Sequence, residues 1–211
     1  MPIQQAIRDL ALDYSNRLLA AIDQRTEEML ADDVSHYLIY RVLGISHFEG
    51  QQIDLYQNKG RFLYKYAGSF LEQATKKCFE HTFPDSGSIR IPNTIGQRPK
   101  TFEIDCLVDN DAIEIKWKDA TTDGDHITKE HTRIQVIADA GYIPIRVMFY
   151  YPNRQQAMRI QQTLKTLYQG IGGYYYYGDG AWEYVFERTG VDLKEILEQI
   201  ANERVPQNGQ L

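Results

Sequence analysis

Thr101-Phe102-Glu103-Ile104-Asp105-Cys106-Leu107-Val108, Asp109-Asn110-Asp111, Ala112-Ile113-Glu114-Ile115-Lys116-Trp117-Lys118 is the stretch on which the reading of this chain turns. Both arms alternate apolar and polar residues with period two, and the middle consists of turn formers, so the pair reads as a β-hairpin. On the first arm Phe102, Ile104, Cys106 and Val108 point one way, and Thr101, Glu103 and Asp105 the other. On the second, Ile113, Ile115 and Trp117 share a face, and Glu114, Lys116 and Lys118 the opposite one. A two-residue turn at Asp109-Asn110 sets Asp105 opposite Glu114, and a turn at Asn110-Asp111 sets it opposite Lys116. Either way an Asp, a Glu and a Lys share one sheet face. Directly opposed Cβ atoms lie about 5 Å apart, a span that one divalent cation bridges.

Hydrolysis of a phosphodiester needs charge neutralised on the scissile phosphate and a water made nucleophilic. Two carboxylates on neighbouring strands offer hard oxygen ligands for Mg2+ and leave positions open for water and phosphate. The backbone carbonyl of Ile115 is a natural further ligand. Lys116 would aim its ammonium at the attacking water or the developing negative charge. A plainer reading also accounts for the pattern: a solvated hairpin face stitched by cross-strand salt bridges.

Outward from the hairpin, the spacing predicts one α/β domain. Ile3, Ile7, Leu10, Tyr14, Leu18 and Ile22 recur at helical intervals, so residues 3–30 read as a long amphipathic helix. A short helix over Val34 to Leu43 follows, closed by Gly44, and Phe48 to Gly60 reads as polar and irregular. A helix runs from about Phe62 to Phe79, and Pro84 to Ser88 is a turn. After the hairpin come a helix from His126 to about Ala140, a buried strand over Tyr142 to Tyr150, and a helix capped by Asn153. Gly-rich punctuation frames a second hairpin, Tyr174–Tyr177 with Ala181–Phe186, and Asp192-x-x-Glu195 is a capping box for a last helix.

Composition excludes whole classes. The chain has 211 residues, 43% apolar and 25% charged, in the globular range. No apolar run approaches the ~20 residues of a membrane span, and the first residues lack a signal-peptide pattern. Two cysteines make no disulfide framework, so a cytoplasmic location is expected. The net charge of −6 argues against a nucleic-acid binder. Its distribution argues less strongly, because residues 59–100 carry eight bases against three acids while both ends are acidic.

Asp105 with Glu114-Ile115-Lys116 resembles the motif of the PD-(D/E)xK nucleases, the superfamily of many type II restriction endonucleases. Glu72, in Gly68-Ser69-Phe70-Leu71-Glu72, matches the acid often found on the preceding core helix. The resemblance covers about residues 62–168. Ile104 stands where Pro is frequent in the superfamily. More narrowly, Lys116-Trp117-Lys118-Asp119-Ala120-Thr121-Thr122-Asp123-Gly124-Asp125-His126 is similar to the ApaLI-like restriction endonucleases. These resemblances imply a restriction-endonuclease-like core, a central mixed sheet flanked by helices. Residues 62–168 would be the catalytic core, 1–60 a helical extension for dimerisation, and 170–211 a peripheral hairpin and helix, all in a single nuclease domain. They imply a homodimer that cuts the palindrome GTGCAC with Mg2+, and a partner methyltransferase.

Lys118 and the loop with Thr121, Thr122 and Asp123 leave the strand on its active-site side. His126, Lys129 and Arg133 follow as one helical stripe that could touch phosphates or base edges, or simply face solvent. Tyr56, Lys59, Arg61 and Lys65 could line a DNA approach. His126 and His131 have the wrong step for two zinc ligands on one helix face. Two alternatives share the core: a structure-selective repair or junction-resolving nuclease, and a non-catalytic nucleic-acid-binding protein.

Overall fold

The structure, a computed structural model, describes residues 2–96, 98–118 and 125–205, with the side chains of all of these except 125 and 126. Two long helices, α1 (Ile3–Leu30) and α3 (His47–Thr82), flank the short α2 (Tyr37–Val42). The sheet and its helices follow: β1 (Gly87–Pro92), β2 (Thr101–Val108), β3 (Asp111–Lys118), α4 (Asp125–Asp139), β4 (Ile143–Tyr150), α5 (Gln155–Gly170), β5 (Tyr174–Tyr177), α6 (Asp179–Thr189) and α7 (Leu193–Arg204). They form two compact units, Arg8–Phe70 and Met1–Ile7 with Leu71–Leu211. No helix among the described residues is long and apolar enough to cross a membrane.

In the helical unit, α1 and α3 run antiparallel. Tyr14 hydrogen-bonds Ser69 at 2.9 Å and sets its ring edge-on to Phe70, and further along Arg25 donates to Asn58. Residues 48–60 therefore belong to one continuous helix and are not irregular. Gly50 and Gly60 lower helix propensity, but the packing of α3 along α1 overrides it.

The other unit is built on a five-stranded mixed sheet in the order β1-β2-β3-β4-β5, an α/β restriction-endonuclease-like core. β1, β2 and β3 pair antiparallel, and β3, β4 and β5 pair parallel. β1 escaped the sequence reading because it is a short edge strand that ends in Pro92, set between turn residues. Met148 of β4 packs with Ile134 of α4 and with Ile160 and Leu164 of α5. On the opposite face Phe149 meets Trp182 of α6 at 4.3 Å. Both thiols are free and buried, and burial pushes Cys78 up to about 12 and Cys106 up to about 11.

The hairpin register is the one set by the turn at Asp109-Asn110, with Val108↔Asp111 and Cys106↔Ile113. One expectation about it fails. Between the pairs Gly87↔Leu107 and Ile89↔Ile104, Asp105 and Cys106 together oppose Ser88, which is a β-bulge. The bulge switches the alternation of β2. Cys106 shares the face of its partner Ile113, whereas Phe102 and Ile104 pack with Ala112, Val136 and Ile137 on the α4 side.

The expected C-terminal hairpin is also corrected: Tyr174–Tyr177 is a strand, but Ala181–Phe186 lies in α6. Its aromatics alternate, yet the buried residues Ala181, Tyr184, Val185 and Thr189 recur at helical spacing. Gly190, left-handed at φ 70°, ends the helix. Asn153 makes no cap, since Arg154 takes that position without a side-chain hydrogen bond. Asp192 does cap α7, accepting from the Glu195 amide at 2.9 Å.

Parallel β4 and β5 meet closely at Gly173, where an added Cβ would stand 2.4 Å from the Pro144 carbonyl oxygen. Gly173→Ala is expected to cost about 2 kcal/mol or more in urea unfolding, as overpacking does. Gly170→Ala, with nothing within 4 Å of the new methyl, should leave the midpoint unchanged or raise it, by up to about 1 kcal/mol in stability.

Candidate active site

β3 lies between β2 and β4, which take both of its edges, and α4 lies over the face that Glu114 presents, so even this carboxylate is inside. Glu114 is 3% exposed, not on a solvated hairpin face. A buried carboxylate must be paired. Lys116 Nζ lies 2.5 Å from Glu114 Oε1, and the Arg133 guanidinium of α4 binds Oε2. Arg133 also donates to the Glu103 carbonyl, which ties α4 to β2. Burial alone would raise the Glu114 pKa, but Arg133 and Lys116 outweigh it and hold the carboxylate below its ordinary range.

Asp105 has the opposite balance. Its position in the bulge turns the carboxylate toward β3, where Oδ2 accepts the Ile115 amide at 2.8 Å. A regular ladder continued from Cys106↔Ile113 would hand that amide to Ile104. A residue's N–H and C=O leave an extended strand on the same edge, so the Ile115 carbonyl opens there too. Burial, and then the charge of Glu114, push Asp105 up to about 7, against the pull of Lys116 and the Ile115 amide. Two carboxyls in one neighbourhood are thus driven apart: Glu114 is fixed as an anion, and Asp105 is poised to hold or lose a proton near neutrality.

Glu72 joins them from α3. It pairs with Lys76 at 2.8 Å, and its charge adds to the upward push on Asp105. Lys76 is itself buried, and it was not singled out in the sequence. Nor was the layer behind Glu114. In the β3–β4 register Arg146 stands beside Glu114, with no exposure at all. Arg146 donates to Glu130 of α4 at 3.1 Å, and the Tyr168 hydroxyl of α5 donates to the same oxygen at 2.6 Å. The signal was available: an arginine inside the apolar run Ile143-Pro144-Ile145-Arg146-Val147-Met148-Phe149 must have a buried acid as partner.

The expected DNA-contact residues separate. Lys118 is exposed at the end of β3, across from Tyr150. Lys129 is exposed on α4, whereas Arg133 points inward to Glu114, so they do not form one outward stripe. Thr121, Thr122 and Asp123 lie outside the described residues, as does the side chain of His126. Trp182 and Tyr184 are packing residues, Tyr184 stacked on Tyr176 at 4.3 Å.

Among the described residues no group of three or more His, Cys, Asp or Glu gathers as a metal cage. The donors at the site are two carboxylates and one backbone carbonyl. All are hard oxygens, a set suited to Mg2+, which keeps several waters and takes few protein ligands. The like-charge cost at Asp105 is the kind that a bound cation relieves.

The family model of the ApaLI-like restriction endonucleases matches residues 1–202, nearly the whole chain, and the chain belongs to that family. It is therefore a nuclease that acts on DNA. No curated protein and no solved structure matches it.

The two carboxyls should respond oppositely to neutralisation. Asp105 is raised on folding, so its contribution to stability is complete below its unfolded value near 4 and is lost as pH rises through about 7. Asp105→Asn should therefore stabilise the protein at pH 8 by on the order of 2 kcal/mol, and by little at pH 5. Glu114→Gln strands Arg133 and Lys116 and should destabilise by about 3–5 kcal/mol at both pH values. Thermal unfolding of the two variants at each pH checks the signs.

Proposed function

We propose that this member of the ApaLI-like family is a type II site-specific deoxyribonuclease, hydrolysing phosphodiester bonds of duplex DNA in the presence of Mg2+, with GTGCAC as its site. The observation that carries this reading is the geometry of two carboxyls on adjacent strands, Asp105 accepting the Ile115 amide at 2.8 Å and Glu114 with Lys116 at 2.5 Å. Asp105, Glu114 and the Ile115 carbonyl would hold the ion. When bound, Mg2+ supplies positive charge to the scissile phosphate and acidifies a water.

The chain's own groups do the rest. Arg133 anchors one oxygen of Glu114 and the Glu103 carbonyl, which fixes the carboxylate between the strands. Lys116 remains protonated, because Glu114 and Asp105 outweigh its burial, and so keeps a positive charge for the developing phosphorane. Glu72 acts on Asp105 from α3, favouring any state in which a cation offsets the three acids. Lys118 and Lys129, both exposed, contact phosphates.

The helical unit supplies the dimer surface. Leu38, Ile39, Val42 and Leu43 are 59–73% exposed, an apolar patch larger than scattered surface residues produce. A palindrome is most simply cut by two sites related by the duplex two-fold axis. The enzyme works in the cytoplasm beside a methyltransferase that protects the host's own sites.

Unmethylated DNA bearing GTGCAC should give discrete fragments with Mg2+ and none with EDTA. An uncut substrate would leave a binding protein, and cleavage governed by branch structure rather than sequence would leave a junction nuclease. Lys116→Ala should lose roughly 10²–10³-fold in single-turnover cleavage while still binding DNA. Lys118→Ala should mainly weaken binding, with a salt slope flatter by about one unit. In sedimentation the wild type should be a dimer, and Val42→Asp with Leu43→Asp a folded monomer.

A further inference from the structure

The chain carries −6 overall, yet α3 has no acid at all from Leu55 to Leu71. That segment holds Lys59, Arg61 and Lys65, with Asp54 before it and Glu72 after it. Within the helical unit Arg61 and Lys65 border a groove of about 710 Å³ between α1 and α3. Its walls include Arg25 from α1 and Asn58, Arg61, Phe62, Tyr64 and Lys65 from α3. Arg61 and Lys65 are one helical turn apart, both exposed, and they enter none of the ion pairs among the described residues. Glu28, three residues along α1 from Arg25, is paired with it at 3.0 Å.

Gly60 adds a second observation. A glycine inside a helix costs about 1 kcal/mol relative to alanine. Here no packing demands it, because a Cβ at Gly60 would meet nothing within 4 Å. Its effect is to leave the groove wall bare between Asn58 and Arg61, where a ligand's backbone could come close.

We propose that this α1–α3 groove is a second contact site for the sugar–phosphate backbone of duplex DNA, separate from the catalytic unit, with Arg61 and Lys65 each neutralising a phosphate. The proposal rests on the nuclease reading for its partner. Arg25, whose Nε donates to Asn58 Oδ1 at 3.4 Å, sets a third positive charge beside the two exposed cations. Contacts of this kind carry no sequence information but set register and strengthen binding to any duplex.

The test is fluorescence anisotropy with a labelled duplex that lacks GTGCAC, in EDTA, over a salt series, with cleavage of site-bearing DNA scored separately. The double variant Arg61→Ala, Lys65→Ala should bind at least tenfold more weakly at low salt. Its plot of log affinity against log salt should flatten by about two units, roughly 0.9 for each lost phosphate. The charge-preserving pair Arg61→Lys, Lys65→Arg should bind as the wild type does, which separates charge from folding. Unchanged affinity and slope in the alanine variant would overturn the proposal. A wild type that cuts site-bearing DNA but does not bind the site-free duplex would overturn it and leave the nuclease reading intact. A wild type that does neither would overturn both.

Discussion

A carboxylate cannot be left unpaired inside a sheet, and much of this structure follows from having one there. Glu114 sits on the central strand, buried on both sides, where an isolated ion would cost several kcal/mol even after relaxation. Two cations meet it, one from its own strand and one from α4. α4 must therefore lie across β3 at a fixed height, with Arg133 reaching the Glu103 carbonyl as well. Beside Glu114 in the register, Arg146 imposes the same demand with the sign reversed. It is met by Glu130, which in turn takes the Tyr168 hydroxyl from α5. The surroundings of Glu114 and the packing of α4 and α5 on the sheet are thus one network. The members of such a network polarise one another, so loss of one is felt by the others.

Asp105 shows what the network leaves open. Among the described residues it forms no ion pair within contact distance, its carboxylate bonded to a backbone amide, and the bulge that delivers it to that amide also takes it out of the regular ladder. Glu114 is locked as an anion by its partners, and Asp105 is left balanced by burial and repulsion. A site built this way is disposed to accept a cation: the charge that folding leaves unsatisfied is the one a metal ion would satisfy. Removal of Asp105's charge relieves the fold, and removal of Glu114's charge damages it, although both carboxylates would serve the same ligand.

The motif itself was legible because it rests on period-two alternation and a two-residue turn, both local. Asp105, Glu114 and Lys116 could be placed within reach of one another from that alone, and the register was already one of two stated alternatives. The bulge was not legible, since it arises from the pairing of β2 with an edge strand that ends in Pro92. The burial of Glu114 was missed because a hairpin read in isolation has a free face, and the helix that covers it, α4, is brought there by the parallel pairing of β4 with β3. Ala181–Phe186 misled for a different reason. Alternating aromatics imitate a strand, while the small Ala181 and the branched Val185 set the helical face. Phe48–Gly60 looked irregular because its two glycines weaken helix propensity, a weakness that tertiary contact along α1 overrides.

An acidic chain that binds a polyanion needs its attraction placed locally, since the field near a patch, not the net charge, governs encounter. The active site does not provide much of it. Lys116 and Arg133 are committed to Glu114, Arg146 to Glu130, and Lys76 to Glu72, so the densest cluster of bases in the catalytic unit is largely neutralised from within. Such committed cations steady carboxylates and stabilise charge that develops during reaction, but they draw little DNA from solution. Attraction must therefore come from cations outside that network, among them Lys118 at the end of β3, Lys129 on α4 and the acid-free stretch of α3 in the helical unit. The division of labour is a physical one: bases buried with acids hold the site together, and exposed bases such as Arg61 and Lys65 remain available to a polyanion.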